Sequence, residues 1–144
     1  IQDGKGEVYT NIYSPGAKGT GDGGAFTTAG DVSRFWKGLS GGQALGDAMR
    51  HQMTQPQVKE KCYGYGLWLE QAQGRFLTHF EGCEPGISFI SLYDAKDGFM
   101  MTLMSNRGDN VWAIDRKVRA LRYGDEIAPR FYYGGQEGSA APRQ

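Results

Sequence analysis

Two stretches of this chain are apolar on both alternating faces, and this limits what the chain can fold into. In Ile87–Tyr93, Phe89 alternates with Ile90 and Leu92; in Phe99–Ser105, Phe99, Met101 and Leu103 alternate with Met100 and Met104. Such strands belong inside a sheet with cover on each side, and the cover expected here is helical. The turn Asp94-Ala95-Lys96-Asp97-Gly98 joins them as an antiparallel pair. A second hairpin is read in Tyr63–Gln71 and Arg75–Gly82, on either side of Ala72-Gln73-Gly74. The fold class that follows is α+β, an antiparallel sheet flanked by helices.

The helical cover is signalled on both sides of this strand block. Thr28 with Asp31 three residues on has the form of a capping box. Val32, Phe35, Trp36 and Leu39 then recur at helical spacing, and Gly41-Gly42 stops the run. A second helix is expected over Gln43–Met53, with Leu45, Ala48, Met49 and Met53 turned inward. A last helix is expected from an Asp109 N-cap to Tyr123, with Gly124 as its stop. Its buried stripe reads Val111, Ile114, Val118, Leu121, and Arg116, Lys117, Arg119 and Arg122 form a solvated face suited to the negative helix end. The chain is thus read as a single domain over 1–144. Residues 1–26 are an irregular lead-in, 27–56 two helices, 62–106 antiparallel strands, 109–124 the C-terminal helix, and 125–144 a tail.

Charge is balanced, with 16 basic and 16 acidic residues, so nothing steers the chain toward nucleic acid or an anionic membrane. No apolar run is long enough to span a bilayer as a helix. A chain opening at Ile1 is expected to be a processed product or an excised piece. His51 and His79 stand alone, without ligand spacing, so neither a metal nor another cofactor is expected. Gly19, Gly21 and Gly24 spell a dinucleotide fingerprint but follow a polar Tyr-Ser-Pro-Gly segment rather than an apolar strand. No serine stands by pattern in the strained strand-to-helix turn of a nucleophile elbow either.

Cys62 and Cys83 are the two cysteines. Pairing the first hairpin about Gln73 sets Trp68 opposite Thr78 and brings Cys62 within about one residue of Cys83. Facing residues lie about 4.5–5.5 Å apart, within disulfide range, and closing a loop of about 20 residues adds about 3 kcal/mol. Two unbridged thiols are the alternative. A bridge would favour a periplasmic or secreted location; without it the location stays open.

Three segments carry chemistry together. The first is Gly23-Gly24-Ala25-Phe26-Thr27-Thr28-Ala29-Gly30-Asp31; the second is Tyr63-Gly64-Tyr65-Gly66; the third is Phe80-Glu81-Gly82-Cys83-Glu84-Pro85-Gly86, with Ser105-Asn106 downstream. In this order and spacing, over about residues 20–115, they resemble the C-terminal part of the β-lactamase, penicillin-binding-protein and esterase superfamily, in its class C-like form. The family pattern runs G-G-x-x-S/T-T-x-x-D, Y-G-x-G, H-x-G-x-x-P-G, S-N. The resemblance implies a central antiparallel sheet with helices on both faces. It also implies nucleophilic acyl transfer to a Ser of S-x-x-K, activated by that Lys and by a Tyr of Y-x-N. The H-x-G strand walls the cleft, and backbone N–H groups hold the oxyanion.

This chain departs from the pattern at informative places. No Ser has a Lys three residues later: Ser14/Lys18 and Ser33/Lys37 are four apart. Tyr9-Thr10-Asn11 spells Y-x-N but stands too close to Gly23-Gly24, and is read as a decoy. The nucleophile, its Lys and its Tyr are therefore expected upstream, and this chain alone is expected to be inactive. Phe80 stands where the family has a cation, with Glu81 beside it; His79 is one residue early and so on the opposite face. The resemblance makes Phe80, Glu81 and Gly82 substrate-side residues and the Cys83 N–H the second oxyanion donor. Without the cation, carboxylate recognition is poor, which favours neutral or cationic esters and amides over β-lactams. The expected partners are the upstream part of the same protein, a small ester or amide substrate, and a second copy meeting an open sheet edge. The alternative is a non-catalytic binding or assembly module that retains part of the fold.

Overall fold

The computed structural model describes residues 10, 18–21, 23–57, 62–108 and 110–124, apart from the side chain of Ala72. Tyr9-Thr10-Asn11 as a motif, Ser14, the Asp109 cap and the tail lie outside them. The elements are α1 (Ala29–Ser40), α2 (Asp47–Met53), β1 (Trp68–Ala72), β2 (Arg75–Glu84), β3 (Ile87–Asp94), β4 (Phe99–Ser105) and α3 (Asn110–Tyr123). The strands form one sheet in the order β1-β2-β3-β4, each beside its sequence neighbour. The α+β class read from the strand and helix signals is the observed one.

The chain divides into two compact units, residues 27–80 with 90–103, and residues 1–26, 81–89 and 104–144. In the first unit α1 is built as its sequence dictates. Thr28 caps it in extended conformation, accepting the Asp31 N–H at 3.1 Å and donating to the Asp31 carboxylate at 2.8 Å. Val32, Trp36 and Leu39 are buried, whereas Phe35 is 41% exposed. Trp36 is the anchor. Its indole N–H donates to Ser91 Oγ on β3 at 2.7 Å, and its ring stacks on Tyr93 and meets Phe80 and Phe35. Ser91 also bonds Thr102 on β4 at 2.9 Å, so one buried polar chain ties α1 to two strands. Arg75 bridges the buried Asp94 and the exposed Asp97, tying the start of β2 to the β3–β4 turn.

Helix α2 differs from expectation. It starts at Asp47, not Gln43, and buries no side chain; Ala48 is exposed and Met49 is 57% exposed. Gly42 at φ +75° and the bonds from Gln43 and Ala44 N–H to Gly38 O consume the intended first turn. Instead of packing apolar residues, α2 uses Arg50, which donates to Ser40 O at 2.9 Å and pairs with Asp47.

The first hairpin is shifted by one residue. Gln73 and Gly74 both have positive φ, making a two-residue turn that pairs Ala72 with Arg75 and Trp68 with His79. The Tyr63–Gly66 segment is a turn, not strand: Gly64 N–H bonds Leu67 O, Leu69 N–H bonds Cys62 O, and Tyr65 N–H reaches Met53 O. A Cβ on Gly64 would stand 2.2 Å from Met53 O, the physical reason for glycine there. This doubling-back also decides the cysteines. Cys62, at φ +48°, bonds back onto β1 through its carbonyl instead of extending the hairpin, and Cys62 and Cys83 are unbridged. The bridge considered from sequence is corrected accordingly, and the compartment argument drawn from it falls away.

In the second unit α3 is rotated from its expected setting. Its buried residues are Val111, Trp112, Asp115, Arg119 and Tyr123, while Ile114 is 50% and Leu121 82% exposed. Asp115 and Arg119, four residues apart, form a fully buried ion pair with Arg119 Nε 2.8 Å from Asp115 Oδ1. Arg119 therefore belongs to the core, not to the solvated basic face. Ser88 on β3 donates to Arg107 O in the segment leading to α3. Gly124 at φ +83° ends the helix.

Candidate active site

The residues singled out by sequence lie at consecutive positions of β2. Its ladder with β1 ends at Trp68–His79, and β2 continues through Glu84. Phe80, Glu81, Gly82 and Cys83 therefore occupy the part of the strand beyond the end of β1. Backbone direction follows from the turn before β1. The Leu69 N–H is used by Cys62 O, on the side of β1 away from β2. Trp68 then faces β2 with its backbone groups, and so does its partner His79 face β1. Strand alternation turns the backbone groups of Glu81 and Cys83 the same way along β2 as those of His79.

Each residue has its own surroundings. Phe80, in the first unit, is half-buried and packs edge-on against Phe35 and tilted against Trp36. His79 points to the other face, almost fully buried, stacked with Trp68 and with Nδ1 3.2 Å from Glu70 Oε1. It does not take the place of the family's cation. In the second unit Glu81 and Cys83 are half-buried on one strand face. Burial raises the Cys83 thiol, and the negative charges of Glu84 and Glu81 raise it further. A thiol held neutral this way is a poor nucleophile, which leaves the backbone as the chemically useful part of Cys83. At Gly82 no described atom lies within 4 Å of where a Cβ would stand, and φ is not in the left-handed region. Nothing in the described fold demands glycine there, in contrast to Gly64.

Sequence reasoning missed the Glu70–His79 contact across the hairpin, the Trp36–Ser91–Thr102 chain and the Asp115–Arg119 pair. The last had a signal, the i, i+4 spacing of opposite charges. The other two depend on strand register. A cavity of about 500 Å³ in the first unit, lined by Trp36, Leu39, Arg50, His51, Phe76 and Tyr93 among others, contains none of the β2 site residues.

No protein-family model and no curated protein matches the chain. Among solved structures, the crystal structure of the penicillin binding protein from Bacillus halodurans is similar to it, with a TM-score of 0.75 and 28% sequence identity. The match covers 84% of this chain and 39% of that one, so this chain spans well under half the length of its structural neighbour. The antiparallel sheet and three helices are thus arranged in a penicillin-binding-protein-like, β-lactamase-like fold.

Proposed function

We propose that the chain is the C-terminal part of a serine hydrolase of the β-lactamase-like kind, supplying one wall of the cleft and an oxyanion donor but not the nucleophile. The observation that carries this is the β2 segment from Phe80 to Cys83, which runs on past the end of β1 with the Cys83 backbone directed to that side. Gly82 leaves room for a substrate carbonyl to approach the strand, and the Cys83 N–H serves the developing oxyanion. Upstream polypeptide contributes the Ser, Lys and Tyr that form and hydrolyse the acyl intermediate. With the Phe80 ring packed on α1 where the family has a cation, the substrate is a neutral or cationic ester or amide. The same missing cation favours a second reading, a non-catalytic module that keeps the fold for binding or assembly.

The full-length protein separates the two. The hydrolase reading expects an S-x-x-K upstream and saturable turnover of p-nitrophenyl acetate. It expects residues 1–144 alone to hydrolyse neither that ester nor nitrocefin above background. Gly82→Ala in the full-length enzyme lowers kcat/KM by roughly 10²-fold, while stability stays within about 1 kcal/mol, because the added methyl meets open space. Turnover by 1–144 alone, or an unimpaired Gly82→Ala enzyme, removes the case.

A further inference from the structure

Helix α2 is amphipathic the wrong way round for a helix that covers a sheet. Asp47, Arg50 and His51, with the cap residue Thr54, recur at i, i+3, i+4 and i+7, the spacing that normally carries an apolar face. All four line the cavity of about 500 Å³ in the first unit, while Met49 lies outside it and is exposed. Across the cavity stand Trp36 of α1, Phe76 of β2 and Tyr93 of β3. A polar row thus faces aromatic rings over a space that neither fills. The polar groups also have hydrogen-bonding capacity to spare. Arg50 gives Nη1 to the Leu39 and Ser40 carbonyls and Nη2 to Asp47, and its Nε–H is used by no described residue. Neither ring nitrogen of His51 nor the Tyr93 hydroxyl has a hydrogen-bond partner among the described residues.

We propose that this cavity binds a small aromatic carboxylate, with its ring against Trp36, Phe76 and Tyr93 and its carboxylate toward Arg50 and His51. Size, lining and charge select that class. The volume lies within the range of about 300–1,000 Å³ usual for small-molecule sites. The aromatic wall favours a planar apolar body. Facing it, the Arg50 Nε–H and the His51 ring offer donors, and the Tyr93 hydroxyl adds a third, so the polar end of the ligand is an acceptor. The sign of its charge follows from how the Asp47–Arg50 pair is set. The Asp47 side chain is 88% exposed and that of Arg50 31%. Water screens the carboxylate more than the guanidinium, so the enclosed side of the pair is the positive one. A carboxylate makes the strongest use of donors placed this way. The cavity contains no residue of the Phe80–Cys83 segment, so the inference stands apart from the hydrolase reading.

Titration of the full-length protein with 2-naphthoate, followed through the indole N–H signals in ¹⁵N NMR spectra, tests this without reference to turnover. The Trp36 signal, from a ring on the cavity wall, is expected to shift saturably, while those of Trp68 and Trp112, outside the cavity, stay put. The neutral 2-naphthylmethanol and the aliphatic hexanoate are each expected to bind roughly tenfold more weakly than 2-naphthoate. His51→Glu sets a negative charge beside the carboxylate and should weaken 2-naphthoate by roughly tenfold or more, leaving 2-naphthylmethanol unchanged. Gln52→Glu makes the same charge change on an exposed residue outside the cavity and should alter neither. If His51→Glu disturbs folding, Tyr93→Phe keeps the ring, removes one donor and should weaken 2-naphthoate about threefold. A Trp36 signal that does not respond, as when other polypeptide fills the cavity, overturns the proposal. So does equal affinity for the alcohol, which would make the site an apolar hollow without charge preference, or full-strength binding of 2-naphthoate by a folded His51→Glu protein.

Discussion

Helix α1 buries an apolar row whose one polar group is satisfied across the contact; helix α3 buries a charged pair and leaves much of its apolar row in solvent. In α1 the row of Val32, Trp36 and Leu39 meets strand residues, and the Trp36 N–H finds Ser91. Each such side chain contributes roughly 1.5–3 kcal/mol by leaving water. In α3 the inward row holds Asp115 and Arg119, both fully buried, at positions where apolar residues would do as well energetically. An apolar period thus reports that a face needs cover, not that the cover lies within the same stretch of chain. The buried pair, for its part, holds α3 in one rotational setting and opposes the setting in which Ile114 and Leu121 turn inward, because Asp115 and Arg119 would then lose their geometry.

The largest effect should come from splitting that pair. Arg119→Met leaves the Asp115 carboxylate buried without its Nε donor and should cost about 3–5 kcal/mol in urea unfolding. Adding Asp115→Leu should restore most of the loss, since two apolar side chains need no compensation. Equal stabilities of the single and double variants would break the contrast between the helices, because the charge would then have no cost to relieve.

A smaller loss is expected on the α1 side. Trp36→Phe keeps an aromatic ring against Tyr93 and Phe80 but removes the donor to Ser91. Ser91 keeps Thr102 as a partner, so the cost should be about 1–2 kcal/mol by the same measurement. A loss as large as that of Arg119→Met would mean that α1, too, is held by a polar network more than by its apolar row.

How much of this was legible beforehand depends on how local the deciding physics is. The α1 cap, its Val32–Trp36–Leu39 row and its Gly41 stop are settled within a few residues, and so were the strands from Arg75 onward. The hairpin register missed by one because a two-residue and a three-residue turn both suit Gln73-Gly74. Tyr63-Gly64-Tyr65-Gly66 looked like strand because aromatics alternate with glycine, but Gly64 is there for the Met53 carbonyl, a contact between segments distant in sequence. Helix α3 could not be set rotationally from its own residues, since its apolar row and its charged row compete for the core. At the candidate site the positions on β2 were readable from the motif. The aromatic seat of Phe80 on α1 and the backbone direction at Cys83 needed the three-dimensional register.

The smallest expected effect isolates the cap of α1. Thr28 and Asp31 hold each other, and Arg34 pairs with Asp31 one turn on. The Thr28 hydroxyl, then Arg34, lower the Asp31 carboxyl below its ordinary 3.8. A carboxyl lowered on folding adds stability above its unfolded pKa of about 3.9 and loses it as pH falls through the folded value. Thr28→Ala should cost about 1 kcal/mol at pH 7. Asp31→Asn should cost less, because the group is exposed and screened. The loss due to Asp31→Asn should shrink as the pH is taken from 5 down past 3, when the wild-type carboxyl protonates as well. Melting temperatures of the three proteins across that range decide it. A difference between wild type and Asp31→Asn that persists unchanged at the acid end would show that the carboxylate charge contributes nothing to how α1 begins, leaving its stability to the Thr28 hydroxyl and the buried row.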